Sequence, residues 1–243
     1  MCVPARLVDR EKRINMCNFF SFVTCPSLGF DKYYFDWAQR KADRTDGMDS
    51  HAHICAHYKL NEDICNKYEY NPLTGKFLVD MLNARDDSGK AGKWVKTLDW
   101  QTIVEPLIIK PIINPFHLPK VERPTLKQLG WLEEWASVRD SAWTSVRDSV
   151  WNSVGNTVGD SVRDSVGDSV GDSVWAYVRD TVRASVGDSV GAYVGSFFDV
   201  QYDYDFSSAA KLWAEGLVPS YDGTTWRLHS GGKAEVVYEQ KGR

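Results

Sequence analysis

Short runs of aromatic and β-branched residues, separated by turn-forming residues, predict three β-hairpins. The first turn is Pro26–Gly29, the second is Asn71–Gly75, and the third contains Gly231 and Gly232. Proline presets and glycine permits the backbone angles that a chain reversal needs. The predicted strand pairs are Phe19–Val23 with Lys32–Asp36, Lys67–Tyr70 with Lys76–Val79, and Thr225–His229 with Ala234–Tyr238.

Capping residues and helical spacing predict four helices outside the centre of the chain. An N-cap side chain accepts a hydrogen bond from a free N–H group of the first turn, and glycine commonly ends a helix. The predicted helices are Ser50–Tyr58, Asn61–Cys65, Thr125–Ala136 and Ser207–Glu215, the last ended by Gly216. Residues 84–93 are polar and predict a loop, and residues 104–124 contain five prolines and predict an extended connector.

The segment from Ser137 to Ser196 is an array of fifteen four-residue repeats. The second position is Val in fourteen repeats, and the first is Ser or Thr in thirteen. The third position is only ever Arg, Trp or Gly, and the fourth is mostly Asp. A position that keeps Val while its neighbours vary is constrained by packing, so Val is predicted to face inward. No core position fits Arg, Trp and Gly interchangeably, so the third position is predicted to face solvent.

The array is compatible with helix or strand, and strand is favoured. Val, Ser, Gly and Asp are weak helix formers. A four-residue period also drifts by about 40° per repeat around an α-helix, whereas Val stacks well in strands. Arg147, Arg163 and Arg179 are spaced by sixteen residues, or four repeats, which suggests a four-sided coil. Duplication of a short DNA unit would leave the same spacing.

In these features the array resembles the pentapeptide-repeat proteins, which are right-handed four-sided β-solenoids. It differs in having four residues on each side and Val at the centre. The resemblance covers about a quarter of the chain and implies architecture alone. The flanking segments Asn66–Pro72 and Gly216–Gly223 resemble uncharacterised repeat-containing proteins of phages and gut metagenomes, a likeness that implies no activity.

The predicted fold is an α+β N-terminal domain followed by a capped, tetrapeptide-repeat β-solenoid and a small α/β C-terminal cap. Residues 1–15 are interpreted as a translated leader before a start at Met16. The predicted parts are the α+β domain over 16–124, an N-cap helix over 125–136, the solenoid over 137–196 and the C-terminal cap, with a helix and a hairpin, over 197–243.

Charge and cysteine content narrow the functional classes. The net charge of -4 is mild and gives no basic field for direct nucleic-acid binding. Five cysteines at irregular spacing do not indicate a disulfide framework and favour a reducing, cytoplasmic location. The most apolar run, over 103–118, is interrupted by Glu105, Lys110 and prolines, so no membrane span is predicted.

Catalytic motifs are lacking in the sequence: there is no Gly-rich phosphate loop, no G-x-S-x-G and no H-E-x-x-H. No cofactor is predicted. One cluster contains residue types that bind zinc, although a polar helix face with incidental histidines is the favoured interpretation. Its members are His51, His53, Cys55, His57 and Cys65.

The array supplies the main functional hypothesis, a non-enzymatic repeat scaffold that binds another protein. Trp and Arg dominate interface hot spots. The predicted partner-binding residues all occupy the third repeat position: Arg147, Trp151, Arg163, Trp175 and Arg179. One alternative is a DNA-mimicking inhibitor of a DNA-processing or defence enzyme, because some pentapeptide-repeat proteins mimic DNA and bind gyrase. The other is a zinc module or metal-dependent enzyme in 49–70.

Overall fold

A computed structural model of the chain describes residues 19–42, 50–154, 156–177 and 180–242. The described residues divide into two compact units. The N-terminal unit contains residues 19–35, 42, 50–71 and 75–97, and the C-terminal unit contains 36–41, 72–74 and the residues from 98 onward. The leader proposed for residues 1–15 lies outside the described residues.

The N-terminal unit is built on a four-stranded antiparallel sheet with strand order β2-β1-β3-β4. The strands are β1 (Phe20–Thr24), β2 (Lys32–Tyr33), β3 (Asn66–Asn71) and β4 (Lys76–Met81). The first two predicted hairpins, β1–β2 and β3–β4, are therefore confirmed. A β1–β3 pairing joins them, with Phe22 opposite Tyr68. Gly75 has φ 69° in the second turn, where its N–H group donates to the Asn71 carbonyl at 2.8 Å.

Among the described residues, the helices of the first part of the chain are α1 (Trp37–Ala42), α2 (His51–His57) and α3 (Ser88–Val95). The predicted cap of α2 is confirmed, since Ser50 Oγ accepts from the His53 N–H at 3.2 Å. The loop predicted for 84–93 is wrong, because α3 begins within it. Ala91 and Val95, four residues apart, are buried and anchor α3.

The core of the N-terminal unit combines large aromatic side chains with a disulfide. Phe20, Phe22 and Tyr68 are fully buried on one face of the sheet. On the other face, a disulfide joins Cys25 to Cys65 inside an apolar cluster that includes Val23, Ile54 and Cys55. The expectation that the cysteines form no disulfide framework is corrected by this bond, which extends the β1–β3 ladder one residue beyond Thr24 and Asn66.

The β-solenoid predicted for 137–196 is wrong. The described part of the array is α-helical, in α5 (Leu126–Val154), α6 (Asn156–Tyr177) and α7 (Asp180–Gly195). The predicted N-cap helix over 125–136 continues directly into the repeats as the start of α5, so it does not cover the end of a coil.

The helices form because the side chains at two adjacent repeat positions, Ser and Val, are both buried and together make one wide helix face. In the part of α6 whose side chains are described, the buried residues are Val158, Ser161, Val162, Ser165, Val166 and Val170. Adjacent residues are about 100° apart on a helix, so together they make a face wide enough to absorb the drift of a four-residue period. Each buried hydroxyl can bond within its own helix: Ser165 Oγ donates to the Ser161 carbonyl at 2.7 Å.

Further helices and strands complete the C-terminal unit. They are α4 (Trp100–Ile103), α8 (Ser207–Ala214) and a three-stranded antiparallel sheet of β5 (Val218–Tyr221), β6 (Thr225–Ser230) and β7 (Glu235–Lys241). The third hairpin, β6–β7, and the helix at 207–215 are confirmed. The sheet and α8 pack against α7, and α8 also packs against α5, so residues 197–243 flank the helices instead of capping a solenoid.

The proline-rich connector holds the repeat helices in place. The Ile113 N–H donates to Tyr193 Oη at 2.8 Å, and Trp213 Nε1 donates to the Ile113 carbonyl at 2.8 Å. The rings of Tyr193 and Trp213 stack with their centroids 5.0 Å apart. One extended residue thus links the last repeat to α8.

Candidate functional site

Most of the predicted partner-binding residues lie where the structure describes no side chain, so the face itself stays a prediction. Arg147 and Trp151 belong to α5 and Trp175 belongs to α6, but the described side chains do not include theirs, and Arg179 lies outside the described residues. Arg163 is 55% exposed on α6 and forms an ion pair with Asp160, with 2.8 Å between Nη2 and Oδ1. The repeats are helical, so the arginines of the array are not stacked at the strand spacing that a solenoid would give.

The third repeat position is not uniformly exposed, which corrects the prediction from composition. The Arg139 guanidinium lies over the rings of Tyr221 and Trp226, 4.9 Å and 5.6 Å from their centroids. Its Nε is 3.8 Å from a carboxylate oxygen of Asp188. Arg139 therefore attaches the first repeat to the C-terminal sheet.

The histidine and cysteine cluster on α2 is used in packing. His51 Nε2 lies 3.0 Å from the Tyr68 carbonyl, and its Nδ1 lies 3.4 Å from the Asp80 carboxylate. The rings of His53 and His57 both contact Phe35, with centroids 5.6 Å and 5.0 Å away. Cys65 is in the disulfide. Within the described ranges, no three His, Cys, Asp or Glu side chains are arranged to hold a metal ion.

Cys55 is the buried thiol of that cluster. Burial raises the pKa of the Cys55 thiol, with a smaller contribution in the same direction from Glu62. A thiol in that state is a poor nucleophile and a poor metal ligand, since both roles require the thiolate.

A serine–histidine pair lies inside the C-terminal sheet. His229 Nδ1 is 3.0 Å from the Ala234 carbonyl and Nε2 is 2.7 Å from Ser220 Oγ, a network that assigns the proton to Nδ1 and lets the hydroxyl donate to Nε2. Burial lowers the pKa of His229. This is how a base activates a nucleophile, but Ser220 is 0% exposed. No substrate reaches its oxygen, and the pair satisfies two buried polar groups of the sheet.

A lysine–serine pair lies at the end of α7. Lys110 Nζ donates to Ser196 Oγ at 2.7 Å and lies 4.5 Å from the Phe197 ring centroid. Burial lowers the pKa of Lys110. The Ser196 hydroxyl donates to the Tyr193 carbonyl, and the backbone N–H groups of residues 196–198 donate to carbonyls of the last turn. None of these donors is left to stabilise an oxyanion, so the lysine acts as a cation at a helix C-terminus.

Four residues of the N-terminal unit form what we call the lysine–aromatic patch: Phe30, Lys32, Lys90 and Trp94. Lys32 Nζ lies 5.0 Å from the Phe30 ring centroid and 5.5 Å from that of Trp94. Lys90 Nζ lies 5.9 Å from the same Phe30 centroid. Strand β2 supplies Lys32 and helix α3 supplies Lys90 and Trp94, so the patch depends on the folded unit.

The patch is rigid at its base. The Trp94 ring packs edge-on against buried Phe22, with centroids 5.0 Å apart, and against Tyr34 at 5.6 Å. A cation is attracted to the face of an aromatic ring. Because Phe22 and Tyr34 hold the Trp94 ring in place, that ring in turn positions the Lys32 ammonium.

The electrostatics of the patch favour an anion. Lys32 and Lys90 both place an ammonium within 6 Å of one ring, so the two positive charges repel each other. Among the side chains that the structure describes, no carboxylate forms an ion pair with either lysine. Each ring of the patch already has an ammonium group within 6 Å of its centroid, so the site is better suited to a carboxylate or phosphate than to a stacked base.

Sequence reasoning missed the patch because Lys90 was assigned to a loop and Lys32 to a hairpin strand. The available signal was the spacing of Ala91 and Val95, which is that of one helix face. It would have placed Lys90 and Trp94 on the same helical segment.

Comparison of the chain with protein-family models, with curated proteins and with solved structures finds no match. In the part of the chain that the structure describes, no helix is both long enough and apolar enough to cross a membrane.

Proposed function

We propose that the protein is a non-enzymatic scaffold that binds another protein, and that the lysine–aromatic patch receives an acidic segment of that partner. The observation that carries this proposal is the pair of ammonium groups, Lys32 and Lys90, gathered around Phe30 without a carboxylate partner among the described residues. A carboxylate placed between them would relieve their repulsion, and the rings fix both lysines beforehand, which lowers the entropy lost on binding.

The uses of the other polar groups support a binding role. The nucleophile–base pair of Ser220 and His229 is sealed inside the sheet. The pair of Lys110 and Ser196 lies where backbone donors are already taken. Both arrangements stabilise the C-terminal unit, and neither combines an accessible nucleophile with free backbone donors for an oxyanion.

The patch supports a binding role more strongly than the repeats support DNA mimicry. DNA mimicry requires a dense negative surface, and α6 does present Asp160, Asp164 and Asp168 on one stripe. Arg163 lies within that stripe and pairs with Asp160 at 2.8 Å. The stripe is therefore partly neutralised, which weakens its likeness to a phosphate backbone.

The test uses a fluorescein-labelled oligo-glutamate peptide as the probe and fluorescence anisotropy as the readout. We expect binding at low salt that weakens as salt is raised, because exposed charges are screened. The Lys32→Gln/Lys90→Gln variant should bind at least tenfold more weakly. The matched control is Lys211→Gln/Lys233→Gln, which removes two exposed lysines of the other unit.

An equal loss of peptide affinity in the two double variants would show that binding depends only on the net charge of the protein, and would refute the site. Tighter binding of single-stranded oligothymidine than of the peptide, lost in the same Lys32/Lys90 variant, would replace the protein partner with a nucleic acid.

A cytoplasmic location is part of the same proposal. A reducing cytosol opens accessible disulfides, but both Cys25 and Cys65 are fully buried, which shields their bond from small thiols. Quenching intact cells with acid and then alkylating the denatured chain tests this: Cys25 and Cys65 should remain unmodified. Their alkylation after the quench would show that the bond does not form in that compartment.

A further inference from the structure

The lysine–aromatic patch gathers two positive charges beside one aromatic ring. Lys32 Nζ and Lys90 Nζ lie 5.0 Å and 5.9 Å from the ring centroid of Phe30. Asp31, the neighbour of Lys32 in the chain, is exposed and forms no ion pair with either lysine among the side chains that the structure describes. A ligand that neutralises the patch therefore has to bring two negative charges to the surroundings of one ring.

A phosphorylated serine or threonine supplies both charges on a single group. At pH 7 a phosphomonoester carries a charge of about −1.5 to −2 and three strong acceptor oxygens. A carboxylate carries one negative charge, so two acidic side chains are needed to neutralise both lysines, and each of them loses conformational freedom on binding. Because Lys32 and Lys90 lie beside the same ring, one phosphate placed there is close to both ammonium groups.

We propose that the patch recognises a phosphorylated serine or threonine of the partner protein, so that phosphorylation of the partner switches the interaction on. This inference rests on the proposed function, because it names the acidic group that the partner brings to Lys32 and Lys90. An unphosphorylated serine at the same place carries no charge and leaves the two ammonium groups unneutralised. Phosphorylation adds the attraction to both lysines in one step.

The surroundings of the patch favour a phosphate carried by a polypeptide over a free phosphate ion. Helix N-termini and turn concavities bind small anions through several backbone N–H groups, whereas the charge of the patch is carried by two side chains. The turn Pro26–Gly29 leaves Leu28 57% exposed, two residues before Phe30. An apolar residue next to the phosphorylated one can pack on Leu28, and a phosphate ion cannot make that contact.

The first experiment compares three labelled peptides by fluorescence anisotropy. They share an apolar residue and differ only at the adjacent position, which is serine, glutamate or phosphoserine. We expect the phosphoserine peptide to bind about tenfold more tightly than the glutamate peptide, and the serine peptide to bind most weakly. Lys32→Gln/Lys90→Gln should abolish the advantage of phosphoserine over glutamate, and Lys211→Gln/Lys233→Gln should preserve it. Far-ultraviolet circular dichroism identifies a variant that fails to fold.

The oligo-glutamate probe, measured with the same proteins, separates this inference from the proposed function. If oligo-glutamate binds through Lys32 and Lys90 but phosphoserine gives no advantage over glutamate, the inference is overturned and the proposed function stands. If neither oligo-glutamate nor the phosphoserine peptide binds, both are overturned. An advantage of phosphoserine that persists in Lys32→Gln/Lys90→Gln would place phosphate recognition elsewhere on the protein and would also overturn the inference.

The pH dependence of peptide binding identifies the charge state that the patch recognises. The second pKa of a phosphomonoester is about 6, so lowering the pH from about 7.5 to about 5.5 reduces its dianion about fourfold, and the affinity should fall by about that factor. A glutamate carboxylate, with an ordinary pKa of about 4.3, stays charged over this range. The glutamate peptide therefore controls for titration of the protein's own groups. Equal changes for the two peptides would contradict recognition of a dianion.

Inorganic phosphate distinguishes the two sources of a phosphate group. As a competitor of the labelled phosphoserine peptide, it should be at least about tenfold less potent than the unlabelled peptide, because it makes no contact with Leu28. Leu28→Ser should weaken binding of the peptide and leave the potency of inorganic phosphate unchanged. Equal potency of the two competitors would make the patch a site for free phosphate and would overturn recognition of a phosphorylated partner.

Discussion

The N-terminal unit and the repeat helices are stabilised by opposite kinds of side chain. In the N-terminal unit, Phe20, Phe22 and Tyr68 fill the core, and a disulfide links two of its strands. Among the described side chains of α6, the buried ones are Val and Ser, and the Ser165 hydroxyl donates to the Ser161 carbonyl of its own helix. Large interlocking rings specify one partner surface. Small repeated side chains fit many, so their arrangement depends on the elements that surround them.

The surrounding elements of the repeats are aromatic. Tyr193 stacks on Trp213, and Arg139 lies on Tyr221 and Trp226. The repeats therefore take their position from rings in the flanking segments, whereas the N-terminal unit contains its own. A destabilising substitution in one repeat helix should therefore destabilise its neighbouring helices as well, more than a similar substitution in the N-terminal unit would affect the rest of that unit.

The largest expected effect is that of Val166→Asp at the centre of α6. Val166 is fully buried, so the change loses apolar burial and places a carboxyl group where it has no partner, at a total cost of about 4–5 kcal/mol. Urea denaturation monitored by hydrogen exchange should show loss of protection in α5, α6 and α7 with little change in β1 and β3.

The matched control is the adjacent Gly167→Arg. A Cβ at Gly167 meets no atom within 4 Å, and Arg is a better helix former than Gly by up to about 1 kcal/mol. We expect unchanged or slightly raised stability. Equal losses in the two variants would contradict the burial pattern.

Removal of the disulfide should have the next largest effect, and in the other region. The bond closes a loop with a sequence separation of 40 residues, for which the chain-entropy relation gives about 4 kcal/mol. The Cys25→Ala/Cys65→Ala variant should lose protection in β1 and β3 and keep it in α6. An unchanged midpoint of denaturation for the N-terminal unit would show that its aromatic core is sufficient without the bond.

The difference between the two regions also explains what could be predicted from the sequence. The hairpins were predictable because their turns, such as Asn71–Gly75, are determined by a few adjacent residues. The repeat array was not, because a four-residue period fits either strand or helix, and packing against α8 and the C-terminal sheet decides between them. The buried face of Val was predicted from its constancy, but the role of Ser as its neighbour on that face was not.

The lysine–aromatic patch and the disulfide could not be predicted from the sequence, because both depend on pairing between strands that are distant in the chain. Cys25 meets Cys65 only because β1 pairs with β3, and no local signal specifies that pairing. The patch depends on the same pairing, since it brings Phe30 to within reach of Lys90 on α3. Residue type alone marked Arg and Trp of the repeats as binding residues, and most of those side chains lie outside the described ones, so that prediction stays untested.

A smaller effect is expected at the link between the repeats and their flank. Tyr193→Phe keeps the ring that stacks on Trp213 and removes the acceptor for the Ile113 N–H, which it meets at 2.8 Å. A buried donor left without its acceptor costs about 1–2 kcal/mol. Thermal denaturation should show that loss, while Tyr204→Phe, at a ring 42% exposed, should be neutral. Equal behaviour of the two variants would show that the connector does not hold α7.

The smallest predicted effect is a pH dependence of the free energy of unfolding of the C-terminal unit. Burial lowers the pKa of His229 in the folded C-terminal unit below its ordinary value of 6.5. As the pH falls below about 6.5, the unfolded chain binds a proton that folded His229 does not, so the unfolded state is favoured. The stability contributed by the neutral histidine is complete above that pH and is lost as the pH falls towards the folded pKa, by at most about 1.4 kcal/mol per pH unit.

The measurement is the free energy of unfolding of the C-terminal unit at pH 7 and pH 5, in the parent chain and in two variants. His229→Gln should be less stable at pH 7, because it loses the fit between Ser220 and the Ala234 carbonyl, but its loss between the two pH values should be smaller. Ser220→Ala keeps the buried imidazole and should keep the full pH dependence of the parent. If His229→Gln loses as much stability as the parent on acidification, the acid sensitivity of this unit arises from other groups, and His229 contributes only through packing and hydrogen bonds.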